Sequence, residues 1–221
     1  DALMKGGIPF HMKDAIPNLF AHWISLDIIA YLRLVSGTGN TRANWLRIMN
    51  RPNRYIKREA LAPFTSDISV AQLKAYYQDK DWMLERLDRL EYDLSIMKRM
   101  SPYAAIHYLS NAMKYQDYLK DYAKEHHINE QELLDVLNAV HESSQSCRTF
   151  AEWFTYIDTY TEELQKQAKS PASKDANNES GVCLCTLHCA KGLEYPIVFI
   201  PDINEDNIPH ARAAVDADLE E

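Results

Sequence analysis

No stretch of the 221-residue chain approaches the ~20 consecutive apolar residues that a membrane span needs. No basic-then-apolar leader opens it. Glycine is scarce at 6 residues and proline stands at 9, which excludes collagen-like repeats and chains disordered throughout. Cysteine is limited to four. Three of them fall within Cys183–Cys189, a spacing unlike a secreted disulfide framework, and a reducing, cytoplasmic home is expected. What is present is ordinary for a soluble globular protein: 46% hydrophobic and 25% charged residues, enough for one large or two modest domains with a sizeable core. The chain opens on Asp1 rather than Met and closes on Leu219-Glu220-Glu221, which suggests a piece of something longer.

A net charge of −8 argues against a polyanionic partner until it is divided along the chain. Residues 1–58 hold 9 Lys/Arg against 3 Asp/Glu, a balance of +6; residues 59–221 hold 15 against 29, a balance of −14. Arg42, Arg47, Arg51, Arg54, Lys57 and Arg58 follow one another with no acidic residue between them, and Trp45 and Tyr55 are interleaved. Clustered cations attract a polyanion and release its counterions, so this is a candidate phosphate-binding patch. The competing reading is a solvated face, or cations paired with the acidic remainder of the chain.

Periodicity predicts a helical middle. Residues 8–12 read as a short strand. Phe20, Ile24, Ile28, Tyr31, Leu32 and Val35 recur at helical spacing, and Ser36-Gly37-Thr38-Gly39-Asn40 carries stop chemistry. Thr41 is a candidate N-cap for a helix whose apolar side is Trp45, Ile48 and Met49. Pro52 breaks the chain before another short helical stretch near Lys57–Leu61. Met83, Leu87, Leu90, Leu94 and Met97 form a heptad-like stripe over 81–100, read as core. Ser101-Pro102 reads as an N-cap with proline at the first helical position, and further helices are expected over 102–125, 129–143 and 149–168. Residues 169–181 (KSPASKDANNESG) read as a linker. Beyond it, Val182–Leu187 and Pro196–Ile200 read as buried strands. Strand-like pieces at both ends of a helical middle suggest a helical insertion into an α/β domain.

Between those two runs, Thr186, His188, Lys191 and Glu194 crowd around Gly192, where the chain can turn tightly. Loops at strand ends in α/β sheets commonly bind ligands. Cys183, Cys185, His188 and Cys189 suggest metal ligands at first sight, but no second Cys/His pair lies at a zinc-finger distance. They are read as small hydrophobes of a sheet, and no metal site is assigned. Most of the 13 tyrosines are expected in bundle packing, a minority as base-stacking candidates.

The string Thr186, His188, Lys191, Gly192, Leu193, Glu194, Tyr195, Pro196, Val198, Phe199 resembles T-x-H-x-x-K-G-L-E-[FY]-P-x-V-F, the motif V pattern of the UvrD/Rep/PcrA-type superfamily 1 DNA helicases. Its flanks agree. Ile208-Pro209-His210 is similar to the family's FPH segment, and Asp218–Glu221 to the approach to motif VI. Gly7-Ile8-Pro9-Phe10 is similar to its GIPY strand, and Asp27–Leu34 to its DxLAYLRL helix. Leu46–Arg54 is similar to LLRIINxPxR. In two places the chain departs: Tyr55-Ile56-Lys57 stands where the family usually has Gly-Ile-Gly, and His22–Ser25 where it commonly has Arg-x-Glu-Ile.

The resemblance implies a mainly α chain in which a helical bundle, 2B-like, interrupts an incomplete α/β RecA-like domain, 2A-like. Residues 1–36 and 181–221 would form the 2A-like part and 37–180 the 2B-like part. It implies DNA contacts for Thr186, His188 and Lys191 beside the single strand, and for Arg47, Arg51, Arg54, Lys57 and Arg58 at the duplex. Gly192 and Glu194 would lie at the nucleotide. The implied partners are DNA, as single strand and duplex junction, and an N-terminal motor domain of the same protein, with no membrane partner and a place at the bacterial nucleoid. ATP and Mg2+ would serve the whole protein, with neither expected on this chain alone. The sequence holds no G-x-x-x-x-G-K-[ST] phosphate loop, no D-E-x-x segment after a strand and no motif VI arginine, so no catalytic residue is assigned and the chain alone is expected to be inactive. Two other readings stay open: a helical protein-interaction module without a DNA role, and the same region of a helicase–nuclease subunit.

Overall fold

The computed structural model describes Leu3 and residues 6–12, 17–65, 67–169 and 181–201. It is mainly helical and divides into two compact units, 15–174 and the pair of chain ends 1–14 and 175–221. The expected linker, apart from Lys169 and Gly181, lies outside the described residues, as do Ile208–His210 and Asp218–Glu221.

The larger unit is organised on helix α1, Trp23–Ser36. Its sequence is apolar nearly all round, and such a helix has to be buried. Ile24, Ile28, Tyr31 and Leu32 are wholly enclosed; each such aliphatic side chain contributes roughly 1.5–3 kcal/mol. The His22 ring accepts the Ile24 N–H at its start. At its end Gly37 adopts φ 77°, and the Thr38 N–H closes on the Arg33 carbonyl at 3.1 Å, the geometry that a left-handed cap requires. Helix α2, Arg42–Ile48, starts at Thr41, whose hydroxyl accepts from Asn44. It buries Trp45, and the indole N–H donates to the Ile68 carbonyl at 3.1 Å.

A 3-10 turn, Arg58–Leu61, leads to α3, Val70–Tyr76. Then follow α4, Asp81–Met97, α5, Pro102–Asn111, α6, Tyr115–His126, α7, Glu130–Ser143, and α8, Phe150–Lys169. The stripe on α4 is core as expected: Met83, Leu87, Leu90 and Met97 are buried and Leu94 half-buried. Helix α1 packs against α2, α4, α5, α7 and α8, so it lies within the helical unit. The resemblance had grouped residues 1–36 with 181–221; in the structure only residues 1–14 cluster with that end. The reason is the burial of α1 on nearly every side.

The span 102–125, expected as one helix, is two. The chain breaks at Ala112–Lys114, where Lys114 takes φ 65°, and neither glycine nor proline marks the break.

In the smaller unit, β1 (Phe10–Met12) and β2 (Val182–Leu184) pair in parallel, with Phe10 opposite Val182 and Met12 opposite Leu184. The two ends of the sequence thus meet in one ladder. Gly181 makes this possible: a Cβ there would fall 2.6 Å from the Pro9 carbonyl oxygen. Helix α9, Leu187–Ala190, follows at once, so the expected strand Val182–Leu187 is cut to three residues. Pro196–Ile200, expected as a buried strand, forms none; Ile197 is 74% and Phe199 88% exposed. A strand needs a neighbouring ladder, and among the described residues β2 pairs with β1 alone.

Candidate nucleic-acid interface

In the smaller unit, the parallel ladder delivers the chain directly into the polar turn. Thr186 ends the extended run, and its hydroxyl accepts the Cys189 N–H at 3.3 Å while its carbonyl accepts from Ala190 at 3.0 Å. Its side chain therefore caps α9 from an exposed position. Leu193 N–H closes on the Ala190 carbonyl at 2.9 Å, and Gly192 takes φ 80°, a conformation that a side chain would strain. Lys191, Gly192 and Glu194 are all exposed, and among the described residues no ion pair engages Lys191 or Glu194. The turn thus presents an ammonium and a carboxylate three residues apart. His188 belongs to α9, and its side chain lies outside the described atoms. Cys183 and Cys185 are half-buried, and the Cys183 sulfur lies 3.5 Å from the Tyr195 hydroxyl.

In the helical unit, the basic run 42–58 divides in two. Arg47 and Arg51 turn onto Asp27 of α1: Arg47 Nη1 lies 3.1 Å from Oδ1, and Arg51 Nη1 lies 2.8 and 3.0 Å from the two carboxylate oxygens. The Tyr115 hydroxyl donates to Oδ2 at 2.9 Å. Asp27 is wholly buried, whereas the arginine side chains keep 35% and 37% of their exposure. Burial pushes the Asp27 carboxyl above its usual range, opposed by Arg51, Tyr115 and Arg47. Burial also drives the Tyr115 hydroxyl well up, and the neighbouring Asp27 charge adds to it. Arg54 points its Nη1 at the carbonyls of Ile48 (3.1 Å) and Pro52 (3.2 Å). Its guanidinium lies over the buried Tyr31 ring. These three arginines organise the loop. Arg42, Lys57 and Arg58 remain exposed.

Nothing in the local pattern around 42–58 revealed this division, because the counter-anion sits 20 and 24 residues upstream of its arginines. The signal available was Asp27 itself, the single acid in a helix whose only other charged residue is Arg33. A second feature without a signal in the spacing is a cation–aromatic cluster. Arg86 of α4 lies 5.0 Å from the Tyr55 ring centroid and 5.1 Å from that of Trp82.

With this geometry in view, the profile of the family described as "UvrD-like helicase C-terminal domain" matches residues 1–221. The chain belongs to that family. The ATP-dependent DNA helicase PcrA of Bacillus subtilis (strain 168) is 28% identical over 240 residues, covering all of this chain and 31% of the relative. The protein of the same name in Staphylococcus epidermidis (strain ATCC 35984) is 25% identical over 231 residues, covering 96% of this chain and 30% of the relative. That of Staphylococcus aureus (strain Mu50) is 24% identical with the same coverage. The chain spans less than a third of the length of these relatives. Tyr55, which follows Arg54, takes φ 59°, a left-handed backbone that suits glycine better than an aromatic residue. No helix among the described residues is long and apolar enough to cross a membrane.

Proposed function

We propose that this chain is the C-terminal, DNA-contacting part of an ATP-dependent DNA helicase, in which 1–14 and 175–221 form the 2A-like piece and 15–174 the helical 2B-like insert. The observation that carries the reading is the motif from Thr186 to Phe199, set immediately after a strand that pairs with the opposite end of the chain. The whole-length family match and the PcrA relatives support it.

On this reading Thr186, His188 and Lys191 line the path of the single strand. A hydroxyl, an imidazole and an ammonium bond phosphate oxygens without reading sequence. Gly192 lets the chain turn so that Glu194, exposed and free of an ion-pair partner among the described residues, accepts a ribose hydroxyl proton of a bound nucleotide. Arg42, Lys57 and Arg58 are the duplex-facing cations. Arg47, Arg51 and Arg54 take a positioning role, holding the loop against α1 through Asp27 and the backbone carbonyls. That arrangement replaces direct phosphate contact as the main use of these three side chains.

ATP with Mg2+ would supply the driving reaction in the whole protein. The groups described here fit the edge of such a nucleotide site, one carboxylate beside one glycine turn. Cradling phosphates takes a loop of backbone amides and a lysine, which this sequence does not contain. The purified 221-residue chain is therefore expected to bind duplex DNA at low salt and to hydrolyse no ATP, with or without single-stranded DNA. DNA-stimulated hydrolysis by this chain would contradict the assignment of roles. Absence of DNA binding at the lowest salt would favour a protein-docking module instead.

A further inference from the structure

We propose that Tyr55, Arg86 and Trp82 form a stacking site for an unpaired nucleobase on the surface of the helical unit. The proposal rests on the DNA-contacting role proposed above and extends it to a ligand group, the base, that the phosphate contacts leave unaddressed.

The first observation is the backbone at Tyr55. Its φ of 59° places an aromatic residue in the left-handed region, which L-residues other than glycine occupy at a cost. That cost is not recovered by packing, because the side chain is 60% exposed. The loop around it is firmly held. The Asn50 side chain accepts from the Arg54 and Ile56 N–H groups at 3.3 and 2.9 Å and donates to the Ile56 carbonyl at 2.9 Å. Ile56 is buried, and the Lys57 N–H donates to the Tyr77 hydroxyl at 2.7 Å. The ring of Tyr55 is thus presented outward from a fixed loop.

The second observation is what the ring meets. Trp82 lies in the first turn of α4 and is 50% exposed; Arg86 lies one turn further on. The Arg86 guanidinium stands over both rings at 5.0 and 5.1 Å. Two large π surfaces are therefore bridged by one cation and still half open to solvent. Exposed aromatic faces with an interposed arginine are the means by which proteins hold single-stranded bases without sequence preference.

Charge decides between a base and a phosphate as the group held here. Lys57 and Arg58 follow Tyr55 closely and are exposed, so the backbone flanking a stacked base meets cations. Glu59, Asp79, Asp81 and Glu85 are also exposed on the adjoining segments and offset those cations. At the rings themselves the acids leave little net charge, so ring contact holds the base, while Lys57 and Arg58 meet the flanking phosphates.

The test uses the 221-residue chain with two probes, a (dT)16 strand and a dumbbell duplex whose two ends are closed by ethylene glycol linkers, so that it carries no unpaired base. Tyr55→Gly keeps the backbone conformation, since glycine adopts φ 59° freely, and removes only the ring. Trp82→Ala removes the second face. Binding of (dT)16 is expected to weaken by roughly fivefold or more for each variant, by the same factor at every salt concentration. Wild-type tryptophan fluorescence is expected to be quenched by (dT)16, with the quench much reduced in Trp82→Ala. Dumbbell binding is expected to be unchanged in both. Equal (dT)16 affinity in wild type, Tyr55→Gly and Trp82→Ala overturns the stacking site. If the dumbbell still binds with steep salt dependence in that case, the DNA-contacting role survives; if the wild-type chain binds neither probe, both proposals fall together.

Discussion

At the scale of single residues, Asp27 is the most consequential group in the helical unit. One enclosed carboxylate holds two arginines of the 46–54 segment and a tyrosine 88 residues away. Removing the carboxylate leaves two arginines that are more than a third exposed and a buried tyrosine hydroxyl without its acceptor, at a cost of about 1–3 kcal/mol. Asp27→Ala is therefore expected to lower the unfolding free energy by that order, read from urea denaturation. Its pH dependence has a definite sign. Burial raises the Asp27 pKa in the folded chain above the unfolded value of about 3.9. Between those two values the folded state binds more protons than the unfolded state. The proton-linked increment of stability at Asp27 is thus fully present below the unfolded pKa and is lost as pH rises through the raised folded value, leaving the ion-pair contribution of the carboxylate. Stability of wild type minus that of Asp27→Asn should fall across that window on going from acid toward neutral pH. A difference that rises with pH would contradict the burial argument. The residue scale is also where the sequence was least legible. The six cations at 42–58 form one class by spacing, yet three are turned inward by an anion and carbonyls that spacing along the chain does not reveal.

At the scale of elements, caps and apolar stripes were readable because their causes are local. Thr41, Ser101-Pro102 and the Gly37 stop act where the sequence puts them. The stripe on α4 is buried except at the half-buried Leu94. Leu87 and Leu90 are fully enclosed, so Leu87→Ala should cost about 2–5 kcal/mol, and the half-buried Leu94→Ala distinctly less. Equal costs in urea unfolding would contradict the packing described. Helix α3 went unread although its Ser69 and Gln72 form a reciprocal capping box, because only Val70 and Leu73 of its side chains are buried and so short an apolar side sets up little periodicity. The break between α5 and α6 had no signal, since Lys114 supplies a conformation that sequence rules reserve for glycine. Lys114→Gly should relieve that strain and raise stability by about 1 kcal/mol, seen as a higher thermal midpoint. The run Ile197–Ile200 failed as a strand for the opposite reason. Its composition suits a strand, but a ladder is a property of two segments, and no described neighbour offers one.

At the scale of the whole molecule, what the sequence made legible was the alternation of strand, long helical middle and strand, together with the motif at 186–199. The first follows from local composition and the second from the family resemblance; the structure keeps the first as a helical unit and a parallel pair joining the chain ends. Where one unit stops and the next begins was less legible. Helix α1 reads as the continuation of an N-terminal α/β piece, and only its burial by α2, α4 and α7 assigns it to the bundle. The family match and the PcrA relatives join these units to one proposed task, contact with DNA in a larger motor. Lys57 and Arg58 are the cations left exposed for it beside Arg42. The most direct measurement is the affinity of the 221-residue chain for the dumbbell duplex over a salt series, wild type against Lys57→Glu/Arg58→Glu. The expected result is a log–log slope that becomes shallower by about 2 in the double variant, roughly 0.9 for each phosphate no longer neutralised, with folding unchanged. Identical slopes, or no wild-type binding at the lowest salt, would contradict the proposed contact with DNA.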